Sequence, residues 1–417
     1  MKYLIVNRGS ASEKYAVDEG EKCLAFLHLE KAENEKCDFV SSLYISGQET
    51  AGQPSPLNGR PNRSEDSPAI SCITKKEYEN SLNYALNLFI EKKIIANKEE
   101  ITGIGIRVVA PGKYFQGDKI IDKVYLKEIK KVLAEAPLHI LPTYEAIKDL
   151  KKTFKNIPIV GVSDSDFHKT IPDQAKYYGL PWAETQKYQI ERYGYHGISV
   201  ESILNKMKAE KTEEGQIPKK LIICHIGSGA SVTAVKDGQS IENSMGFTPL
   251  EGVMMATRAG NIDPGALAYL SERLGLKGKK LKEYLNKKCG LLGVSEQSSD
   301  VRDLLKLERE GNTQAKLALD MYVYHLQKQI GSYYVVLGGL DMIIFTATVG
   351  ERSFIMRERI CADLEMLGLK LDKEKNNQSE GINALISTSD SQVKILVRKT
   401  DEMRQIARDT IKILSVL

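Results

Sequence analysis

Two arginines, a histidine and two carboxylates stand in settings that suit the chemistry of a charged phosphoryl group. Arg107 lies among apolar neighbours in the strand-like run from Ile104 to Val109. A guanidinium buried there must meet an anion, either an internal carboxylate or a ligand. Arg258 stands in Thr257-Arg258-Ala259-Gly260-Asn261-Ile262-Asp263-Pro264. Gly and Pro turn chemistry makes it a solvated loop side chain or an anion ligand. His196, in Tyr193-Gly194-Tyr195-His196-Gly197, is a structural residue or a donor to an anion. Asp164 follows the buried run Ile157 to Val162. Ligands of α/β proteins bind beyond the carboxyl ends of such strands, and helix capping is the alternative. Glu402 opens the final helical segment, where it favours the helix dipole or binds a hard cation through oxygen.

Two Gly-Ser hairpins add phosphate-binding chemistry. The first holds Asn7, Gly9, Ser10, Ser12 and Lys14; the second holds His225, Gly227, Ser228 and Gly229. A glycine turn lets backbone N–H groups approach an anion with no Cβ in the way. Arginines and a histidine suit the transferring phosphoryl group, carboxylates suit Mg²⁺, and the hairpins suit the remaining phosphates. Phosphoryl transfer needs little else, because its catalysis is mainly positioning and electrostatics.

The hairpins are also a repeat. Leu4 to Ser10, Ala16-Val17 and Gly20 correspond to Ile222 to Ser228, Ala234-Val235 and Gly238, with a constant offset of 218 residues. Each copy reads as a strand, a tight turn and a returning strand that ends in an acidic-Gly turn. Between them, strand and helix patterns alternate, which argues for a duplicated α/β fold. Val124 to Ala134 has helical periodicity. Thr143 is a cap for a helix carrying Ala146, Ile147, Leu150 and Phe154. Gly47 to Pro68 reads as an exposed loop, and Lys208 to Lys220 and Lys373 to Gln392 as polar connections. Val393 to Val397 is a strand, and Thr400 to Leu417 has a helical apolar face.

Length and charge narrow the class. A chain of 417 residues implies two or three domains. A net charge of +4 is too small for a nucleic-acid coat and fits a small anionic substrate. The apolar run Tyr333 to Val349 is broken by Gly338, Gly339 and Asp341, so no membrane span is expected. The N-terminal apolar run is too short for a secretory signal. Six scattered cysteines form no Cys-x-x-Cys pair, and reduced thiols in a cytoplasmic protein are expected.

Taken in order, these residues resemble the acetate/propionate kinase family of the acetate and sugar kinase/actin superfamily. The likeness covers nearly the whole chain. It rests on Asn7-x-Gly9-Ser10-x-Ser12-x-Lys14, Arg107-Val108-Val109, Asp164-x-x-Phe167-His168, Arg192-Tyr193-Gly194-Tyr195-His196-Gly197 and His225-x-Gly227-x-Gly229. Ser244 to Gly252, Ile262-Asp263-Pro264, Cys289 to Ser295, Ser298-Ser299-Asp300-x-Arg302-Asp303 and Thr400-Asp401-Glu402 extend it. The resemblance implies two ribonuclease-H-like (actin-like ATPase) domains around a cleft. One is residues 1–150, completed by a strand and helix in 385–417; the other is 151–384, on the nucleotide side. It implies reversible phosphoryl transfer from ATP, or another donor, to acetate in a homodimer. Arg107, Arg258, His196 and Asp164 would be catalytic. Asn7 and Glu402 would hold Mg²⁺ or Mn²⁺. The acyl group would sit by Val109, Leu138, Tyr195 and Pro249. The phosphates and nucleoside would meet both hairpins, Asp300, Val301, Arg302, Thr348, Val349, Gly350, Glu351 and Arg352.

Departures from the family pattern bear on the donor. Arg8 replaces a small residue, and Ser228 replaces the Asn of a Gly-Asn-Gly turn. Ala110-Pro111-Gly112 replaces His-Gly-Gly, and Val301 replaces a Phe. Thr348 and Arg352 replace Gly and Asn in the adenosine loop. An altered phosphoryl-donor preference, pyrophosphate included, is the expectation. A propionate- or butyrate-type kinase and a non-catalytic paralogue are the other readings.

Overall fold

A computed structural model describes residues 1–9, 12–32, 37–46, 69–133, 135, 137–210 and 217–416. Fourteen strands are present among them: β1 (Lys2–Arg8), β2 (Ser12–Glu19), β3 (Lys22–Lys31), β4 (Phe39–Ile45), β5 (Ala69–Ile73), β6 (Ile101–Val108), β7 (Lys119–Ile120), β8 (Ile159–Ser163), β9 (Lys220–Ile226), β10 (Ala230–Lys236), β11 (Gln239–Asn243), β12 (Met342–Thr346), β13 (Ala384–Leu385) and β14 (Lys394–Val397). They form two sheets, ordered β5-β4-β3-β2-β1-β6-β8-β7 and β11-β10-β9-β12-β14-β13.

The two sheets repeat one plan. In each, an antiparallel three-strand meander (β3-β2-β1 or β11-β10-β9) is extended by two parallel strands (β6 and β8, or β12 and β14). The 218-residue repeat is the first hairpin of that plan. Its closing turns have left-handed backbones at Gly20 and, in the second copy, at Asp237-Gly238, which the tight connections require. The central strands carry continuous buried apolar runs, as parallel strands covered on both faces must.

The chain divides into two compact units. One comprises Met1–Ala110, Tyr114–Asp166 and Asp401–Leu417; the other comprises Pro111–Lys113 and Phe167–Thr400. The first has a core that includes Leu4, Val6, Phe89, Ile104, Tyr125 and Ile147; the second packs Val200, Ile203, Leu221, Ile344 and Leu396. The division falls after Asp166, and the strand β14 lies in the second sheet, parallel to β12. From the 385–417 region only the helix Glu402–Leu414 packs on the first sheet. Gly105 makes room for it, since a Cβ there would overlap Thr410 Oγ1.

Several local expectations need correction. Thr143 is not a cap: it lies inside a helix that runs Pro137–Thr153. Proline suits a first helical position, so Pro137 starts the helix a turn and a half earlier. Lys373 to Gln392 is not all connection. It contains the helix Lys373–Gln378, capped by Asp372, and the strand β13. Cys37 and Cys72 are not free thiols but a disulfide, with Cα atoms 5.6 Å apart. The β4–β5 pairing of Phe39 with Ile73 brings them together. The expected loop at Gly47 to Pro68 lies outside the described residues. The run Tyr333 to Val349 is the end of the helix Thr313–Leu337 followed by β12. No helix among the described residues is long and apolar enough to cross a membrane.

Candidate active site

In the first unit, strand ends gather four of the singled-out residues. Asp164 Oδ1 accepts from Arg107 Nε at 3.0 Å and Oδ2 from Nη2 at 2.9 Å. This two-pronged pair follows from the β6–β8 register, which sets Arg107 beside Val162 and lets the Asp164 N–H donate to Val108 O. Asn7, near the end of β1, donates from Nδ2 to Glu402 Oε2 at 2.8 Å. Its Oδ1 accepts from Arg107 Nη1 at 3.4 Å, and Glu402 Oε2 lies 3.7 Å from that nitrogen. Asp401 caps the last helix, so its first turn presents Glu402 to the cluster. Burial alone would depress the Arg107 guanidinium, but the charges of Asp164 and Glu402 outweigh it and hold it firmly protonated.

This cluster reads Asp164 as an ion-pair partner rather than a helix cap, and Arg107 as the internal pair that a buried arginine needs. Two carboxylates against one guanidinium leave a net charge of −1, and Asn7 adds an amide oxygen. Such a hard oxygen set suits a divalent cation that keeps most of its ligands from water and phosphate. Among the described residues no group of three His, Cys, Asp or Glu forms a metal cage. Lys14 is opposite Asn7 in the β1–β2 ladder and so shares its face. Arg8, the next residue, faces the other way. It pairs with buried Glu13 at 2.5 Å and lines a cavity of about 310 Å³ with Tyr15, Ser81 and Asp149. It is therefore not one of the cations of the Arg107 cluster. Ser12 takes the Gly9 N–H on its carbonyl at 2.9 Å, while Ser10 lies outside the described residues. Val109 is buried just beyond β6. The helix Pro137–Thr153 carries Leu138, whose side chain lies outside the description.

In the second unit, His196 and Arg258 converge. Arg258 is buried, not solvated, and donates from Nη1 to Pro249 O at 3.0 Å. His196 precedes the helix Gly197–Ala209 with a left-handed backbone (φ 62°). Its Nδ1 is 2.9 Å from Ser231 Oγ, and its ring stacks on that of His225, with centroids 4.0 Å apart. His225 is held in turn by Ser199 Oγ at 2.8 Å from its Nδ1. A Cβ placed on Gly229 would lie 3.4 Å from both His196 Nε2 and Arg258 Nη1. The absence of a side chain thus leaves one spot that a donor ring and a cation both reach. The Gly227 N–H donates to Gly229 O and closes the turn at that spot; Ser228 is exposed at its tip.

Other expected residues have plainer settings. Tyr195 is fully buried, and its hydroxyl donates to Phe247 O at 2.8 Å; Pro249 is buried in the same loop. Asp300 caps the helix Val301–Arg309 and binds the Arg302 guanidinium, and Val301 is buried. Thr348 and Arg352 are exposed in the short helix Ala347–Arg352, where Val349 is half-buried and Gly350 buried. Glu351 is committed to backbone, accepting from Ala347 N at 3.0 Å and Thr400 N at 3.3 Å. Residues not singled out as site residues support the His196–Arg258 pair: His168, Ser199, Ser231 and Asn243. His168 had a signal, since it follows a strand end in Asp164-x-x-Phe167-His168; Asn243 had none.

Two α/β units of one plan, the first with a carboxylate–arginine cluster at its strand ends and the second with a histidine and an arginine side by side, suit a phosphotransferase acting on a small anion. The comparisons make this specific. The model of the acetokinase family matches residues 2–408. An acetate kinase of Carboxydothermus hydrogenoformans is 40% identical over 415 residues, which is 99% of each chain. Solved structures of an acetate kinase from Porphyromonas gingivalis and a propionate kinase from Francisella tularensis match with TM-scores of 0.80 and 0.82. Their identities are 32% and 31%, and each match covers 99% of both chains. The chain belongs to the acetokinase family and has its actin-like ATPase fold. It is a phosphotransferase with a carboxyl group as acceptor. The family reaction passes a phosphoryl group reversibly from ATP to acetate and needs a divalent metal with the nucleotide.

Proposed function

We propose that the chain transfers a phosphoryl group between ATP and acetate in both directions, with Mg²⁺, or Mn²⁺ in its place, accompanying the nucleotide. The convergence of His196 Nε2 and Arg258 Nη1 over Gly229 carries this reading. In the forward direction a carboxylate oxygen attacks the γ-phosphorus in line. The bond to the bridging oxygen breaks, and its electron pair leaves on ADP. Acetate is already ionised at neutral pH, so no proton need move and no general base is required. Asp164 then works by fixing the plane of Arg107, not by taking a proton. Arg107 neutralises and orients, while Arg258 and His196 donate to equatorial oxygens of the transferring group. Asn7 and Glu402 hold the metal, which supplies charge neutralisation for the phosphates. By the family likeness, Tyr195, Pro249, Val109 and Leu138 are the positions that would meet the acyl group.

The hairpin residues Ser10, Ser12, Lys14, His225, Gly227, Ser228 and Gly229 meet phosphates. The nucleoside side is taken by Asp300, Val301, Arg302 and residues 348–352. The enzyme works as a cytoplasmic homodimer, a reading supported by the family likeness. Acyl phosphate trapped as hydroxamate tests all of this, crossing acetate, propionate and butyrate with ATP, GTP and pyrophosphate. ATP with acetate gives the highest kcat/KM. Arg107→Ala and Arg258→Ala each abolish turnover; unaffected rates in both would overturn the assignment.

A further inference from the structure

The strained histidine has an unusual support. A non-glycine residue in the left-handed region is strained and persists only where its surroundings over-determine it. The peptide before His196 is gripped from both sides. Tyr195 O accepts from His168 Nε2 at 3.0 Å and from Asn243 Nδ2 at 3.2 Å, and Tyr195 N donates to Asn243 Oδ1 at 3.4 Å. Asn243 is itself fixed at the end of β11: its Nδ2 donates to Thr233 Oγ1 at 2.8 Å, and its Oδ1 accepts from Met245 N at 2.9 Å. His168 is fully buried, with Nδ1 2.8 Å from Ser240 Oγ. The carbonyl of Tyr195 can only accept, so Nε2 carries the hydrogen and Nδ1 accepts from Ser240. Gly194, with φ 69°, lies flat on this ring; a Cβ there would come within 2.7 Å of His168 Cγ. Burial pushes the His168 pKa down to about 4, so the ring stays neutral and in one tautomer through the physiological range.

The geometry assigns His168 and Asn243 as positioning residues: by clamping the Tyr195 peptide they hold the His196 backbone in its left-handed turn and aim its ring at the spot above Gly229. This rests on His196 acting on the phosphoryl group. A flexible 194–196 segment would leave the ring displaced at the moment of transfer, and small misplacements of such groups cost about 10²-fold. The effect therefore belongs to kcat and not to nucleotide KM.

The test is a double-mutant cycle read by hydroxamate trapping with the full-length enzyme. His168→Phe keeps a flat aromatic ring, slightly larger, and removes the donor; we expect kcat to fall about 30- to 100-fold with KM for ATP within about twofold. His168→Gln places an amide N–H near the lost Nε2–H and restores kcat to within about fivefold of the parent. In a His196→Ala background, His168→Phe lowers kcat no further, because the ring it served is gone. Should His168→Phe not fold, Ser240→Ala carries the same cycle by removing the one hydrogen bond that holds His168 Nδ1, and Asn243→Asp by removing the two that Nδ2 donates, to Tyr195 O and Thr233 Oγ1. Equal losses in both backgrounds, or loss confined to thermal stability, overturn the clamp. Undiminished turnover in His196→Ala alone would instead overturn the role given to His196.

Discussion

Gly229 offers the sharpest test of the phosphoryl position, because the substitution is small and its geometry is known. Its φ is not left-handed, so Gly229→Ala needs no backbone strain. The new methyl would sit 3.4 Å from His196 Nε2, His196 Cε1 and Arg258 Nη1, which is ordinary van der Waals contact. The fold should therefore tolerate it. Removing glycine's extra unfolded-state freedom adds about 0.4–1 kcal/mol of stability where the backbone is compatible. The phosphoryl oxygen fares differently. To accept from both groups it must lie about 2.7–2.9 Å from each, and that region is where the methyl would stand. Hydrogen bonds to charged groups are worth about 1.5–3 kcal/mol each. Loss of one lowers kcat about 10- to 150-fold, and loss of both about 10²- to 10⁴-fold, at 1.36 kcal/mol per decade. Hydroxamate trapping gives the rate, and thermal denaturation confirms the fold. A Gly229→Ala enzyme with an unchanged thermal midpoint and undiminished kcat would refute the placement of the phosphoryl group.

Other outcomes follow from the same structure. Arg107→Lys cannot reproduce the two-pronged bond to Asp164; it should cost at least about 100-fold in kcat, whereas Arg107→Ala should also destabilise the chain by about 3–5 kcal/mol by stranding buried carboxylates, read by denaturant unfolding. Asp18 is buried, with its Oδ1 lacking a hydrogen-bond partner among the described residues, and burial pushes its pKa up to about 6. The folded state thus binds the proton more tightly than the unfolded one, so this group's support is complete below about pH 4 and is lost as pH rises through 6. Asp18→Asn should raise the thermal midpoint at pH 8 by the equivalent of about 1–3 kcal/mol and leave it little changed at pH 4; an equal effect at both would refute the argument. Gly246 has no room for a Cβ, which would lie 1.6 Å from Glu251 Oε2 and 2.2 Å from the Tyr178 hydroxyl. Gly246→Ala should displace the loop carrying Pro249 and raise KM for acetate more than KM for ATP. Thr348→Gly combined with Arg352→Asn should raise kcat/KM for ATP relative to pyrophosphate; an unchanged ratio would remove these positions as determinants of donor choice.

The readable parts of the sequence were those that local physics decides. Strand, glycine turn and returning strand make a pattern within twenty residues, so both hairpins and their repeat could be seen without a partner segment. The chemistry-bearing types were visible for the same reason: Arg107 among aliphatic residues and Asp164 after a buried run are anomalies in one dimension. What joined them was not visible. The bond between Arg107 and Asp164 depends on β6 and β8 lying parallel in one register, and the bond from Asn7 to Glu402 spans almost the whole chain. The charge of Arg8 was legible and its facing was not; alternation along β1 turns it away from Asn7 and toward Glu13. Thr143 misled because a good cap residue lost to a proline six positions earlier.

The backbone settings that escaped notice share a physical cause. His196 and Ala347 both stand at the start of helices in the second unit with left-handed backbones, φ 62° and 63°. Neither is glycine, so neither conformation is marked in the sequence. Each is held by buried polar groups from distant segments: Asn243 and His168 grip the peptide before His196, and Glu351 takes the N–H of Ala347 and reaches Thr400. A satisfied buried network fixes one geometry where apolar packing would allow several. Side chains that do chemistry announce themselves by type. Those that set the backbone under them are ordinary Asn, His and Glu residues, and their function exists only in the fold that brings them together.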